Sequence, residues 1–111
     1  MDARTENNWT AKGPLVKNSK GILVDEKSTP NGKQYAVAQI DTGYTQNGKK
    51  VSNVIQFETW DADTIKLLQA AQENEWLEVT QAYFKIGSYL DRETKQPRIS
   101  RKVVVKSAKK V

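Results

Sequence analysis

Apolar and polar residues alternate most clearly along Ser52–Trp60, and this period of two predicts a half-buried strand. Ile55 and Phe57 fall on one side of that strand and are its predicted core residues. Trp60 falls on the opposite side, together with polar neighbours. The pattern therefore predicts a strand that carries an aromatic residue on each of its faces.

A short helix is predicted directly after this strand. Asp61 or Asp63 can cap it, because an aspartate side chain at this position accepts hydrogen bonds from free N–H groups of the first turn. Apolar residues then recur at spacings of three to four, which gives Ala62–Gln72 one narrow apolar face. Asn74 lies where a helix-ending residue is expected.

Four further strands are predicted around this unit. The first, Gly13–Asp25, is interrupted at Gly21, where glycine allows a barrel strand to bend sharply. Asn-Gly pairs indicate tight turns, one before the strand Tyr35–Thr42 and one within the hairpin loop Gly43–Lys50. The remaining predictions are the strand Glu75–Ile86, the last strand Arg98–Lys106 with Ile99, Val103 and Val105 facing inward, and between these strands the long polar hairpin Gly87–Pro97.

Five strands with a helix between the third and the fourth are typical of the oligonucleotide-binding (OB) barrel, an all-β fold with one short helix. An SH3-like barrel does not explain a helix at that point. The length of 111 residues is enough for a single domain. The predicted organisation is a flexible N-terminal arm at 1–11, the OB-fold domain at 12–106 and a basic tail at 107–111.

Charge and composition narrow the function. The net charge of +5 and the high isoelectric point favour a polyanionic partner, nucleic acid first and an anionic membrane second, unless the basic surface serves solubility alone. The sequence has no cysteine and no histidine, so we expect no enzyme, no metal site and no cofactor. No apolar run approaches a bilayer span and no secretory segment begins the chain, which predicts a soluble intracellular protein.

Aromatic and basic residues are interleaved in the way that single-strand binding requires. Flat rings stack on unpaired bases while cations follow the phosphates, and neither contact reads the sequence. The predicted stacking residues are Trp60 and Tyr35 on the sheet and Tyr44 and Tyr89 in the loops. The predicted phosphate-binding residues are Lys33, Lys49, Lys50, Arg92, Lys95, Arg98 and Arg101. The predicted helix carries one basic residue, which disfavours readout of a duplex major groove.

Several rings have a second interpretation. Tyr35 fits a cross-strand pair, and Trp60 fits a cover over the start of the helix. Trp76 is assigned to packing beside the helix end. Trp9 either folds back over an edge of the barrel or serves as a mobile stacking residue.

The run TPNGK at Thr29–Lys33, followed by Ala36–Ile40, resembles the turn and second strand of bacterial-type single-stranded DNA-binding proteins (SSB). Val54–Trp60 resembles their third strand, which ends in an aromatic before the helix. The resemblance covers roughly residues 12–106. It places the stacking aromatics of that family on Trp60 and Tyr89, whereas another family tryptophan meets Val54 or a neighbour here.

The resemblance implies sequence-independent binding and protection of single-stranded DNA in replication, recombination and repair, in the cytoplasm, by a homo-oligomer (dimer or tetramer). It also implies replication or recombination proteins as partners. The long tail with an acidic tip that is typical of the family has no counterpart after Lys109–Val111, which implies either a trimmed chain or a short, phage- or plasmid-encoded form in a bacterial host. Two alternatives stay open: an OB-fold protein-interaction adaptor and an RNA-binding OB module.

Overall fold

The computed structural model describes residues 9–111, so most of the predicted arm lies outside the described residues. The described part contains eight strands and one helix, which confirms a mostly β protein with one short helix. In chain order these are β1 (Ala11–Val16), β2 (Val24–Ser28), β3 (Gln34–Asp41), β4 (Tyr44–Gln46), β5 (Lys49–Val51), β6 (Val54–Thr59), α1 (Ala62–Gln69), β7 (Trp76–Leu90) and β8 (Pro97–Lys110).

The strand pairings run round the molecule and return to the strand from which they start. β1 pairs with β7, β7 with β8, β8 with β6, β6 with β3, and β3 again with β1. All of these pairings are antiparallel except the one between β6 and β8. The helix lies between β6 and β7, and the topology is that of an OB-like fold.

The predicted first strand consists of two strands that meet the same edge of β3. β1 pairs with Gln39 and Ile40, and β2 continues along that edge from Ala38 to Gln34. Gly21 lies in the break with φ +78°, a conformation that glycine adopts without a steric penalty. Asn18 holds the same turn, since its Oδ1 accepts from the backbone N–H groups of Lys20 and Ile22 at 2.9 and 3.0 Å. The bend therefore allows one stretch of chain to serve two parts of the sheet.

The core is built from the inward rows of the strands and from one helix residue. Phe57 is fully buried, as predicted, and Val103 and Val105 also face inward. The other large side chains that are fully buried are Leu15, Ile40, Leu68, Leu77 and Val79. The prediction that Ile99 faces inward is wrong: 64% of it is exposed, because β8 extends beyond the part of the sheet that encloses the core.

The long hairpin predicted at Gly87–Pro97 is present, but most of it is paired strand and only its tip is a loop. β7 continues to Leu90 and β8 begins at Pro97, so residues 85–102 form a paired hairpin closed by a short turn. Asp91 holds this turn, because its Oδ1 accepts from the N–H groups of Glu93 and Thr94 at 2.8 and 3.2 Å. At the other end β8 runs to Lys110, opposite Leu77, so the predicted basic tail is mostly strand.

The helix is shorter than Ala62–Gln72: it ends at Gln69, and its C-cap residue Ala70 keeps a right-handed conformation. Asn74 has φ +69° but lies in the turn after the helix, so the expectation that it ends the helix is wrong. At the other end Asp61 is the cap. Its Oδ2 accepts from the Thr64 N–H at 3.0 Å and from the Thr64 hydroxyl at 2.8 Å.

Asp61→Ala should therefore destabilise the fold by about 1 kcal/mol, within the usual range of about 0.5–2 kcal/mol for a lost helix cap. The Thr64 hydroxyl is buried and would lose its acceptor as well. Asp61→Asn, which keeps an acceptor oxygen, is the matched control and should cost less. Urea unfolding followed by circular dichroism measures both, and equal midpoints for Asp61→Ala and wild type would contradict the assigned cap.

Candidate nucleic-acid interface

The outward row of β3 forms the centre of the candidate interface. Ala36, Ala38 and Ile40 are buried, so the residues that alternate with them point away from the core. These outward residues are Tyr35, Val37, Gln39 and Asp41. β6 pairs with β3 along its length and presents its own outward residues beside this row. The register between these two strands therefore decides which side chains share the outer face.

Tyr35 and Trp60 form a stacked pair at one end of this face. Their ring centroids are 4.4 Å apart and the ring planes differ by 18°. Trp60 remains 42% exposed, and its Nε1 donates to Glu58 Oε2 at 3.1 Å, which fixes the orientation of the indole. The structure thus brings together two of the predicted stacking residues, with the indole packed on Tyr35.

Basic side chains surround the stacked pair. Lys27 lies opposite Tyr35 on the neighbouring strand β2, and Lys102 Nζ lies 3.8 Å from Glu58 Oε1. These two lysines line one groove with Tyr35, Glu58 and the predicted Arg101. Lys27 and Lys102 were not among the residues predicted from the sequence. Their place on this face depends on strand register, which no local motif indicates.

The β4–β5 ribbon carries the second group of predicted residues. Asn47 and Gly48 both have positive φ, which makes the tight turn that Asn-Gly pairs favour. Tyr44 is 56% exposed, and Lys49 and Lys50 lie on the return strand of the ribbon. The predicted hairpin loop is thus an ordered two-stranded ribbon.

Trp76 lies beside this ribbon, and its assignment to packing is wrong. It is 51% exposed, because the neighbouring Leu77 takes the inward position on β7 and leaves Trp76 on the outer side. Tyr44, Lys50 and Trp76 line a common groove. Alternation along β7 indicated this orientation, but the place of Trp76 next to the helix end suggested burial.

Asp41 joins the ribbon to the sheet. Its Oδ1 accepts from the N–H groups of Gly43 and Asn53 at 2.8 and 3.0 Å, and its Oδ2 accepts from the Ser52 hydroxyl at 2.8 Å. These bonds, led by the one from Asn53, hold the pKa of Asp41 below its ordinary value. The carboxylate is therefore used to shape the base of the ribbon.

The β7–β8 hairpin carries the last group. Tyr89 is 54% exposed and faces Arg98 across the strands. The Arg98 Nε lies 3.2 Å from Asp91 Oδ2, and Asp91 has a lowered pKa chiefly because the N–H groups of Glu93 and Thr94 bond to it. Arg92 and Lys95 lie exposed in the turn at 91–96.

The predicted site residues therefore form two groups along the outer face. Lys33, Tyr35 and Trp60 lie beyond the end marked by the Ala36–Thr59 pair. The ribbon and the hairpin tip lie toward the other end, where Asp41 pairs with Val54, since β8 runs parallel to β6. The five residue steps of β3 between these ends span roughly 17 Å at about 3.3 Å per residue.

Trp9 packs at a different place. Its backbone N–H donates to the Ala82 carbonyl at 2.8 Å, and its ring meets Phe84 edge-on with centroids 6.3 Å apart. Trp9 therefore folds back along β7, as the first of the two interpretations expects. Among the described residues there is no group of three or more metal-ligating side chains, and no helix is long and apolar enough to cross a membrane.

Comparison with known proteins identifies the fold through solved structures and not through the sequence. The sequence matches no family model and no curated protein. The structure matches a Plasmodium falciparum SSB in complex with ssDNA, with a TM-score of 0.71 and 13% identity over 98% of this chain and 96% of that one. It also matches a small single-stranded DNA-binding protein from Streptomyces coelicolor, with a TM-score of 0.63 and 11% identity over 97% and 96% of the two chains.

The chain has the fold of single-stranded DNA-binding proteins. The SSB-like fold extends over nearly the whole length of both solved structures. The turn and strands on which the sequence resemblance depends, Thr29–Lys33 with β3 and β6, are adjacent in the structure.

The hydrogen bonds that Asp41 accepts at the base of the ribbon predict that stability depends on pH. Because the folded pKa of Asp41 lies below its ordinary value of 3.8, its charged form stabilises the native state fully above that value, and this stabilisation is lost as the pH falls through the folded pKa. Asp41→Asn should therefore unfold at lower urea concentration than wild type at pH 7, and the difference should shrink below about pH 4. Asp25→Asn is the control. The ion pair of Asp25 with Lys27 is long, at 3.7 Å, and partly exposed, so its loss should change the unfolding midpoint little at any pH. A difference in urea midpoint between Asp41→Asn and wild type that stays constant from pH 7 to pH 3 would contradict the stabilising role of the Asp41 carboxylate.

Proposed function

We propose that the protein binds single-stranded DNA without reading its sequence. The observation that carries this proposal is the stacked, exposed pair of Tyr35 and Trp60 beside Lys27 and Lys102 on an open sheet face. Rings supply a stacking surface for any base, and ammonium groups supply contacts for the phosphates. The likeness to a Plasmodium SSB solved with ssDNA supports the same choice.

Binding proceeds by stacking and by release of counterions. An unpaired base stacks against the exposed indole of Trp60, whose reverse face is supported by Tyr35. A phosphate takes the place of Glu58 at the Lys102 ammonium group, because the ion pair between them is long, at 3.8 Å, and the Lys102 side chain is exposed. Each phosphate neutralised in this way releases counterions, so affinity falls as salt rises.

The proposal extends to the closure of the barrel, the biological role and the assembly of the protein. We propose that the ring of strand pairings acts as a closed OB barrel, that the protein protects single strands during replication and recombination, and that it works as a homo-oligomer. Exposed apolar residues on the β7–β8 hairpin, Ile86, Leu90 and Ile99, support contacts with another protein chain. They also favour the second candidate, a protein-interaction adaptor. Sedimentation analysis with and without oligo-dT separates self-association from DNA binding.

Replacing Trp60 tests the stacking step. Trp60→Ala should weaken binding to oligo-dT by about 1–3 kcal/mol, the usual loss for one stacked base. Trp60→Phe keeps a ring on Tyr35 and should lose less. Fluorescence anisotropy of labelled oligo-dT measures both variants. Equal affinities for wild type and Trp60→Ala would show that this pair is not the stacking site.

The salt dependence of the binding constant tests whether Lys102 contacts a phosphate. The log–log slope of the binding constant against salt should become shallower by about 0.7 in Lys102→Gln, because one phosphate contact is lost from a single strand. Glu58→Gln is the matched variant: it removes the competing charge, keeps an acceptor for the Trp60 indole and should raise affinity. An unchanged slope in Lys102→Gln together with an unchanged affinity in Glu58→Gln would place the phosphates elsewhere.

A further inference from the structure

Trp76 is a large exposed side chain that the proposed stacking pair does not use. It occupies an outward position at the start of β7, beside Pro14 on β1. The groove between it and the β4–β5 ribbon is lined by Tyr44, Lys50 and Ser52 as well. Two exposed rings and one ammonium group therefore border a single groove on the outer surface.

This groove is continuous with the outward row of β3. Asp41 is the last residue of that row and also lines the groove. Tyr35, at the start of the row, lies about 20 Å away if β3 rises by about 3.3 Å per residue. A ligand that lies along β3 from the Tyr35–Trp60 pair would therefore reach the groove directly.

We infer that the groove between Trp76 and Tyr44 is a second base-stacking site, which takes an unpaired nucleobase further along the same DNA strand. This inference rests on the proposed function, because it assumes that the strand already lies on Tyr35 and Trp60. It assigns to Trp76 a role that neither the sequence pattern nor the fold assigns. The bound strand would then cross the whole length of β3 and continue over β1.

The charges around the groove suit a phosphate chain. Tyr44–Val51 contains two lysines and no acidic residue. Asp41 accepts three hydrogen bonds within the base of the ribbon. Glu75, next to Trp76 in the chain, lies 3.1 Å from the Lys110 ammonium group. The acidic groups near the rings therefore have partners of their own. Lys50 adds only a weak attraction to Asp41, and the exposed Lys49 and Lys50 side chains can contact phosphates.

Oligonucleotide length separates the two sites. The affinities of wild type and of Trp76→Ala are measured for oligo-dT of about 5 and about 16 nucleotides, near the two ends of the range that one OB fold covers. Trp76→Ala should bind the long oligonucleotide about five- to tenfold more weakly, a loss at the lower end for one stacked base. It should bind the short one as wild type does. Trp76→Phe keeps a ring and should retain most of the affinity for the long oligonucleotide.

Fluorescence gives an independent readout. The sequence has three tryptophans, so the double variant Trp9→Phe and Trp60→Phe leaves Trp76 as the only indole. Its emission should be quenched by the long oligo-dT and should change little with the short one. This measurement does not depend on the stability of the Trp76→Ala variant.

The outcomes distinguish the two levels of the proposal. If Trp60→Ala weakens both lengths while Trp76→Ala weakens neither and Trp76 emission is unchanged, the second site is overturned and the proposed function stands. If wild type itself binds neither length of oligo-dT, the proposed function fails as well. A change in sedimentation mass for Trp76→Ala, without any loss of DNA affinity, would assign the ring to a contact between protein chains and would also overturn the second site.

Discussion

The register of β3 against β6 is the constraint on which the rest of the structure depends. Small or β-branched residues fill the inward row of β3, so the strand can lie close to the core residue Phe57, which pairs with Ala38. The same register sets the outward residues of both strands side by side, and Tyr35 meets Trp60 just beyond the last pair. A shift by one residue would bury the polar row and expose the apolar one, so core and interface are specified together.

Acidic side chains on a surface proposed to bind a polyanion need an explanation, and Glu58, Asp41 and Asp91 each have local partners. Glu58 accepts from the Trp60 indole and lies near Lys102. Asp41 anchors the ribbon, and Asp91 closes the hairpin turn and meets Arg98. The carboxylates thus position the rings and loops of the interface, while exposed lysines of the same face are left to meet phosphates.

Alternation and turn signals were sufficient to predict much of the fold. The strand at Ser52–Trp60, the cap at Asp61 and the break at Gly21 each depend on neighbours close in sequence, and the structure contains all three. The hairpin at Gly87–Pro97 was predicted as polar loop and not as paired strand, because both of its faces are exposed, which removes the alternation that marks a half-buried strand. Its length follows from cross-strand pairing between distant residues.

The sequence predicted the two stacked rings of the candidate site, but not the lysines beside them or the orientation of Trp76. Strand parity predicts Trp60 on the face opposite Phe57, and Tyr35 was predicted beside it on the outer face of the neighbouring strand. Lys27 and Lys102 could not be chosen, since they meet Tyr35 only through pairings of β2 with β3 and of β8 with β6. Trp76 was assigned to packing from its neighbours in sequence, whereas burial of Leu77 decides its orientation.

The most direct measurement is the mapping of backbone amide chemical shifts by NMR as oligo-dT is added at low salt. A single strand on the outer face should shift the amides of β3, β6 and the β4–β5 ribbon and leave α1 unchanged, and a duplex of the same length should produce smaller shifts at the same concentration. Shifts confined to the exposed apolar hairpin around Ile86 and Ile99, or equal shifts with duplex and single strand, would contradict a binding face organised by β3.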